Sequence, residues 1–151
     1  MKQSIFQIIE NSPLTDSVYR MRLTGDTSPI TAPGQFVNIQ LDGFYLRRPI
    51  SVCDCEDGTL TLIYKVVGKG TEAMRRLSEG SIDILTGLGN GYDTSLSGDA
   101  PLLLGGGVGV PPLYLAAGCC GQRASRYRSS SASTPKRRSS TRRNSLPSAA
   151  M

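Results

Sequence analysis

The chain has 151 residues, 38% of them hydrophobic and 19% charged, with four cysteines, no histidine and no tryptophan. That length allows one domain, or a small domain plus part of another, and buries a core without disulfide or metal staples. No apolar run is long enough to span a bilayer and no basic-then-apolar leader opens the chain, so a cytoplasmic protein without membrane contact is expected.

In chain order, the first eighty-odd residues are expected to form short strands separated by turns. Ile5 to Glu10 is β-prone, and Val18 to Leu23 alternates with period two as a half-buried strand does. Pro33-Gly34 turns the chain into the alternating run Gln35 to Leu41. Ile50 to Cys55 and Thr59 to Val67 flank Glu56-Asp57-Gly58, a hairpin signal. Gly68-Lys69-Gly70 opens a short helix over Thr71 to Leu77, and Ser81 to Leu85 alternates again. About six strands with close turns predict an all-β antiparallel Greek-key barrel over residues 1–98.

A different pattern begins at residue 99. Leu102-Leu103-Leu104 is a continuous apolar run, as expected of a strand covered on both faces. Gly105 to Pro112 is a glycine loop, and Leu113 to Ala117 starts a helix with proline before it. Strand, glycine loop and helix open an α/β nucleotide-binding domain, but residues 99–117 hold only its truncated start. Residues 118–151 lose all periodicity, are dominated by serine and arginine, and are expected to be disordered.

The charge divides along the same boundary. The formal +5 hides eight basic and no acidic residues in 118–151, which leaves nine basic against twelve acidic residues in 1–117. The part expected to fold is therefore mildly acidic, and no nucleic-acid partner is expected of it. The cysteines are Cys53, Cys55, Cys119 and Cys120; with no C-x-x-C pair and no histidine, no metal ligand is assigned. Cys53 and Cys55, two apart in a strand, are expected on one face as small, partly buried residues.

Two motifs carry chemistry. In Arg48-Pro49-Ile50-Ser51, the arginine fork suits a diphosphate, proline fixes the backbone, and serine offers a small hydroxyl donor. In Ile63-Tyr64-Lys65 followed by Gly68-Lys69-Gly70-Thr71, a strand leads to a glycine-opened helix start, where free N–H groups attract phosphate. Thr71 is expected to be both N-cap and phosphate ligand.

LRRPISV, IYKVVGKGT, TGLGNGYD and LLLGGGVGVPPLY, in that order, resemble the electron-transfer subunit of dihydroorotate dehydrogenase B, within the ferredoxin-NADP⁺ reductase superfamily. The resemblance covers residues 1–117. It implies a flavoprotein oxidoreductase subunit in which FAD contacts Arg48, Pro49, Ile50, Ser51, Ile63, Tyr64 and Lys65, with its diphosphate on Gly70 and Thr71. It also implies NAD(H) exchange through a nicotinamide domain, and a [2Fe–2S] relay to a dihydroorotate dehydrogenase catalytic subunit in pyrimidine biosynthesis. The superfamily often has an aromatic residue where Ile50 stands. No catalytic acid or base is implied, because the flavin performs the redox step. The rest of the nicotinamide domain and the four cluster cysteines of such a subunit are absent here, so this chain is expected to be inactive alone.

A coding frameshift near residues 117–119 is the expected origin of the tail. Permitted codons for residues 120–150 can be chosen so that the neighbouring frame reads RAEGIEVSVVLGFN and then TKEEVFYEEEFAALG, a helix end, a buried strand and an acidic helix. Stop codons in that frame of the gene would refute this. Other readings are a ferredoxin-reductase-like flavoprotein with a different acceptor, and a non-catalytic barrel whose basic tail binds nucleic acid.

Overall fold

The computed structural model describes residues 1–96, 101–123 and 128–131. Six strands come first: β1 (Lys2–Pro13), β2 (Val18–Thr24), β3 (Phe36–Ile39), β4 (Arg48–Glu56), β5 (Thr59–Lys65) and β6 (Ser81–Leu88), with α1 (Lys69–Met74) between the last two. They close into an antiparallel barrel in the order β1-β2-β5-β4-β3-β6. With β6 returning to lie beside β3, strands β3 to β6 form a Greek key. The all-β barrel expected from the sequence is the fold observed.

Period-two alternation builds the core. Met21 and Leu23 of β2, Val37 and Ile39 of β3, Leu60 and Leu62 of β5 and Ile84 of β6 all point inward and are fully buried, with Phe6 of β1 among them. Met74 of α1 joins this cluster, and Ala73 and Leu77 pack against it. Burying each such side chain contributes roughly 1.5–3 kcal/mol, so one short helix is held to the barrel by its apolar face. The β4–β5 turn is a two-residue loop in which Asp57 and Gly58 both have positive φ (47° and 73°). That is the backbone whose twist matches the flanking strands.

Beyond the barrel lie β7 (Leu102–Gly105), α2 (Leu113–Arg123) and β8 (Arg128–Ser131), with β8 parallel to β7. Three expectations change here. The helix that starts at Leu113 continues to Arg123, past residue 117, and Arg128–Ser131 lies beside β7 as a strand; the rest of the tail expected to be disordered, residues 124–127 and 132–151, lies outside the described residues. Second, β7 is not covered on both faces: Leu102 and Leu104 are 61% and 69% exposed. Its only described strand neighbour is β8, too little sheet to hide them.

Third, Cys53 and Cys55 do not share a face. The β4–β5 register shifts between Val52 and Asp54, a bulge that adds one residue. Cys55 packs against the barrel core, whereas Cys53 is buried outside that cluster. Burial pushes the Cys53 thiol up to about 11, so it is an inert neutral group.

Candidate functional site

The singled-out residues gather where the barrel opens. Strands β4 and β5 pair from Glu56↔Thr59 up to Val52↔Leu62 and no further. Continuing that register would set Ser51 against Ile63, Ile50 against Tyr64 and Pro49 against Lys65. Those partners are not made: Arg48 to Ser51 pair only with β3, and Ile63 to Lys65 only with β2. The two motifs are thus the facing edges of a gap between neighbouring strands.

Proline helps to make that gap. The Val52 N–H donates to the Gln35 carbonyl across the β3 side, at 3.0 Å. Since N–H directions alternate along a strand, the Ser51 N–H and the proline nitrogen of residue 49 face the gap instead. Pro49 has no hydrogen to offer β5, so the ladder cannot zip through it. The Ser51 N–H and hydroxyl, by contrast, are donors on an exposed edge.

Arg48 and Gly70 meet at one end of the gap. A Cβ placed on Gly70 would lie 1.9 Å from Arg48 Nε and 2.7 Å from Cζ. The guanidinium therefore rests on the helix backbone, in a position that only glycine permits. Its Cζ lies 4.8 Å from the Phe44 ring centroid, a cation–π contact. Its Nη1 donates to the Leu46 carbonyl, which leaves donors on the fork for an anion beside α1.

The neighbouring Arg47 is turned away. Its Nη1 donates to Asp83 Oδ1 at 3.0 Å, and that hydrogen bond holds the Asp83 carboxyl below the usual carboxylate range. Arg47, just before β4, is anchored on β6, while Arg48, the first residue of β4, lies against Gly70. Sequence reasoning quoted both arginines, and the structure assigns them different work.

Two expected side chains take other places. Thr71 is not the N-cap: Gly68 is, and Thr71 is the third helical residue. Its hydroxyl accepts from the N–H groups of Val67 (2.9 Å) and Gly68 (3.2 Å) and donates to the Gly68 carbonyl. The hydroxyl therefore shapes the turn, and what Thr71 offers outward is its backbone N–H at the helix start. Tyr64 is 2% exposed and belongs to the core. Its ring stacks on Tyr19 with centroids 5.9 Å apart, and its hydroxyl donates to Asn11 Oδ1 at 3.0 Å. Burial pushes the phenol up to about 12, so it stays a neutral donor. Ile63 and Lys65, the alternate residues of β5, point to the outer side.

Asn11 and Phe44 were missed by sequence reasoning. The Asn11 amide donates to the Met74 and Leu77 carbonyls, both at 2.8 Å, while its oxygen accepts from Tyr64. One side chain thus ties the end of α1 to β1 and β5 and fixes where Gly70 sits. An asparagine before Ser-Pro reads locally as a turn former, which hides this long-range role. The third glycine motif also proves structural: Tyr92 N–H donates to the Pro33 carbonyl at 2.7 Å and its ring covers Gly34.

No family model matches the chain. Curated proteins do. The chain is 42% identical over 123 residues to the dihydroorotate dehydrogenase B (NAD(+)) electron transfer subunit of Bacillus pumilus, covering 76% of this chain and 48% of that one. The Fusobacterium nucleatum subunit gives the same identity and coverage, and a Listeria monocytogenes subunit is 40% identical over 121 residues. The chain is a homologue of these electron transfer subunits. It spans about half the length of the subunits it matches.

Solved structures agree on the fold. An NADH-dependent reduced ferredoxin-NADP oxidoreductase superposes with a TM-score of 0.69 at 28% identity, covering 82% of this chain and 46% of that one. A ferredoxin NADP⁺ reductase from Neisseria gonorrhoeae, solved with FAD and NADP bound, gives a TM-score of 0.72 at 16% identity, covering 85% of this chain and 56% of that one. The barrel of this dihydroorotate dehydrogenase B subunit homologue is thus the reductase-type barrel. The enzymes it resembles are oxidoreductases.

Proposed function

We propose that residues 1–98 are the FAD-binding module of a dihydroorotate dehydrogenase B electron transfer subunit, and that residues 99–117 open its nicotinamide domain. The gap between β4 and β5, closed at one end by Arg48 resting on Gly70, carries this reading. It fits FAD in three respects. A flavin edge needs donors, and Ser51 supplies an N–H and a hydroxyl on an exposed edge. A diphosphate needs cationic, forked donors and close backbone approach, which Arg48 and the missing Cβ of Gly70 provide. A dinucleotide needs an extended cradle, and the unpaired stretches Arg48–Ser51 and Ile63–Lys65 run side by side.

In this reading Arg48 and the N–H groups of Gly70 and Thr71 hold the diphosphate. Ser51 binds the flavin edge, and Pro49, Ile50, Ile63 and the β5 backbone at Tyr64 line the ring. Lys65, exposed at the end of β5, adds positive charge beside the phosphates. Bound FAD would supply the redox chemistry, exchanging electrons with NAD(H) on one side and, through a [2Fe–2S] cluster elsewhere in such a subunit, with a dihydroorotate dehydrogenase catalytic subunit on the other. The protein is read as cytoplasmic, with no nucleic-acid partner. This chain alone is read as a flavin-binding module without efficient NADH oxidation.

The test is a flavin titration of the purified chain. FAD should bind with a perturbed flavin absorbance band and quenched fluorescence, and Arg48→Ala should weaken it. No spectral change on adding FAD, or identical titrations for both proteins, would remove the reading.

A further inference from the structure

Tyr45 is 98% exposed, the most exposed of the large hydrophobic side chains among the described residues. It does not sit on a free loop. Gln40 Nε2 donates to the Phe44 carbonyl at 3.0 Å, and the Phe44 N–H donates to the Leu41 carbonyl at 3.1 Å. Two residues after Tyr45, Arg47 is fixed to Asp83. The loop is therefore pinned on both sides of a bare aromatic ring. An aromatic in water with no covering partner gains nothing from folding, so a ligand that stacks on it is the natural occupant.

Its place along the chain identifies that ligand, given the flavin reading above. An extended FAD carries flavin, diphosphate and adenine in that order. Ser51 and Arg48 stand three residues apart on β4, where each residue advances about 3.3 Å, and Tyr45 lies in the bend that leads into that strand, three residues before Arg48, so the chain presents them in the same order. Three residues of extended chain span at most about 10 Å, and the ribose of an adenosine bridges such a step. Phe44, the residue before Tyr45, is already occupied under the Arg48 guanidinium. We infer that Tyr45 is the stacking platform for the adenine of FAD, and so the residue that makes this site prefer FAD to FMN. Stacking needs only the purine face, so no further polar partner is required.

The test compares Tyr45→Ala, Tyr45→Trp and Arg48→Ala with the unaltered 151-residue chain, measuring dissociation constants for FAD and FMN by flavin fluorescence. A side chain this exposed can be truncated without unfolding the barrel. Tyr45→Ala should weaken FAD roughly 5- to 150-fold, the range for one base on one aromatic ring, and leave FMN unchanged. Tyr45→Trp should bind FAD at least as tightly as the unaltered chain. Arg48→Ala should weaken both flavins, since both carry phosphate. If Arg48→Ala weakens both while Tyr45→Ala changes neither, or changes both equally, the adenine assignment is overturned and the flavin site stands. If Arg48→Ala changes neither, the site reading fails and the adenine assignment falls with it.

Discussion

Gly70→Ala separates the stability of the barrel from the function of its gap. The φ of Gly70 lies outside the left-handed region, so alanine can adopt the backbone. In a helix, alanine is favoured over glycine by roughly 0.5–1 kcal/mol, and the apo protein should be unchanged or slightly more stable. The new methyl, however, would sit 1.9 Å from Arg48 Nε and 2.8 Å from Nη2, with no alternative but to expel the guanidinium. A hydrogen bond to a charged group contributes about 1.5–3 kcal/mol, so FAD affinity should fall roughly 10- to 150-fold. Flavin fluorescence titration gives the affinity, and thermal unfolding without FAD gives the stability. The decisive arm is a double-mutant cycle: with Arg48→Ala already made, Gly70→Ala should cost little more. Additive losses would refute the idea that Gly70 acts by making room for Arg48.

Other outcomes follow from the same geometry. Asn11→Ala removes three hydrogen bonds at once, one to the carbonyl of Met74 at the end of α1 and one to that of Leu77 in the turn after it. It should destabilise the fold by about 2–4 kcal/mol, at roughly 1 kcal/mol or more per bond, read by denaturant unfolding, and weaken FAD as α1 loosens. Folding raises the phenol of Tyr64 from 10.0 to about 12, so its contribution is complete below pH 10 and is lost as pH rises through 12. Cys53, raised from 9.0 to about 11, adds a loss that begins nearer pH 9. Melting temperature should therefore fall across pH 9–12, with a rise in tyrosinate absorbance as the protein unfolds, and less steeply in Cys53→Ala; a flat profile would contradict the burial argument. Purified chain mixed with NADH and a dye acceptor should show no efficient turnover, and robust dye reduction would overturn the inactivity proposed above. A gene sequence whose neighbouring frame runs open after residue 119 with an α/β pattern would support a shifted reading of the tail, and early stop codons there would exclude it.

The barrel was legible because its signals are local. Met21 and Leu23, or Leu60 and Leu62, announce an inward face by alternation alone, and Asp57-Gly58 names its own turn. Arg48 and Gly70 were legible as chemistry but not as a contact: nothing in the spacing of two residues twenty-two apart says that one lies on the other's missing Cβ. The bulge after Val52 was invisible, because one inserted residue leaves the composition untouched while it reverses every face beyond it; Cys53 and Cys55 were misplaced for that reason. Tyr64 sits in a motif that reads as a ligand contact, yet its parity on β5 matches Leu60 and Leu62, and that parity sends its ring inward. Thr71 misled differently. Threonine caps helices so often that its use three residues inside one, reaching back to Val67 and Gly68, was not anticipated.

The bare face of β7 bears on how the molecule behaves at high concentration. Leu102 and Leu104 stand exposed on a short strand, with Leu96, Tyr114 and Val110 also uncovered in the same part of the chain. An apolar strand with so little sheet around it invites the edge of another copy. Handling, more than folding, should then be limiting: turbidity that grows with protein concentration, eased by Leu102→Lys or Leu104→Lys without any change in flavin binding, because neither residue touches the barrel gap.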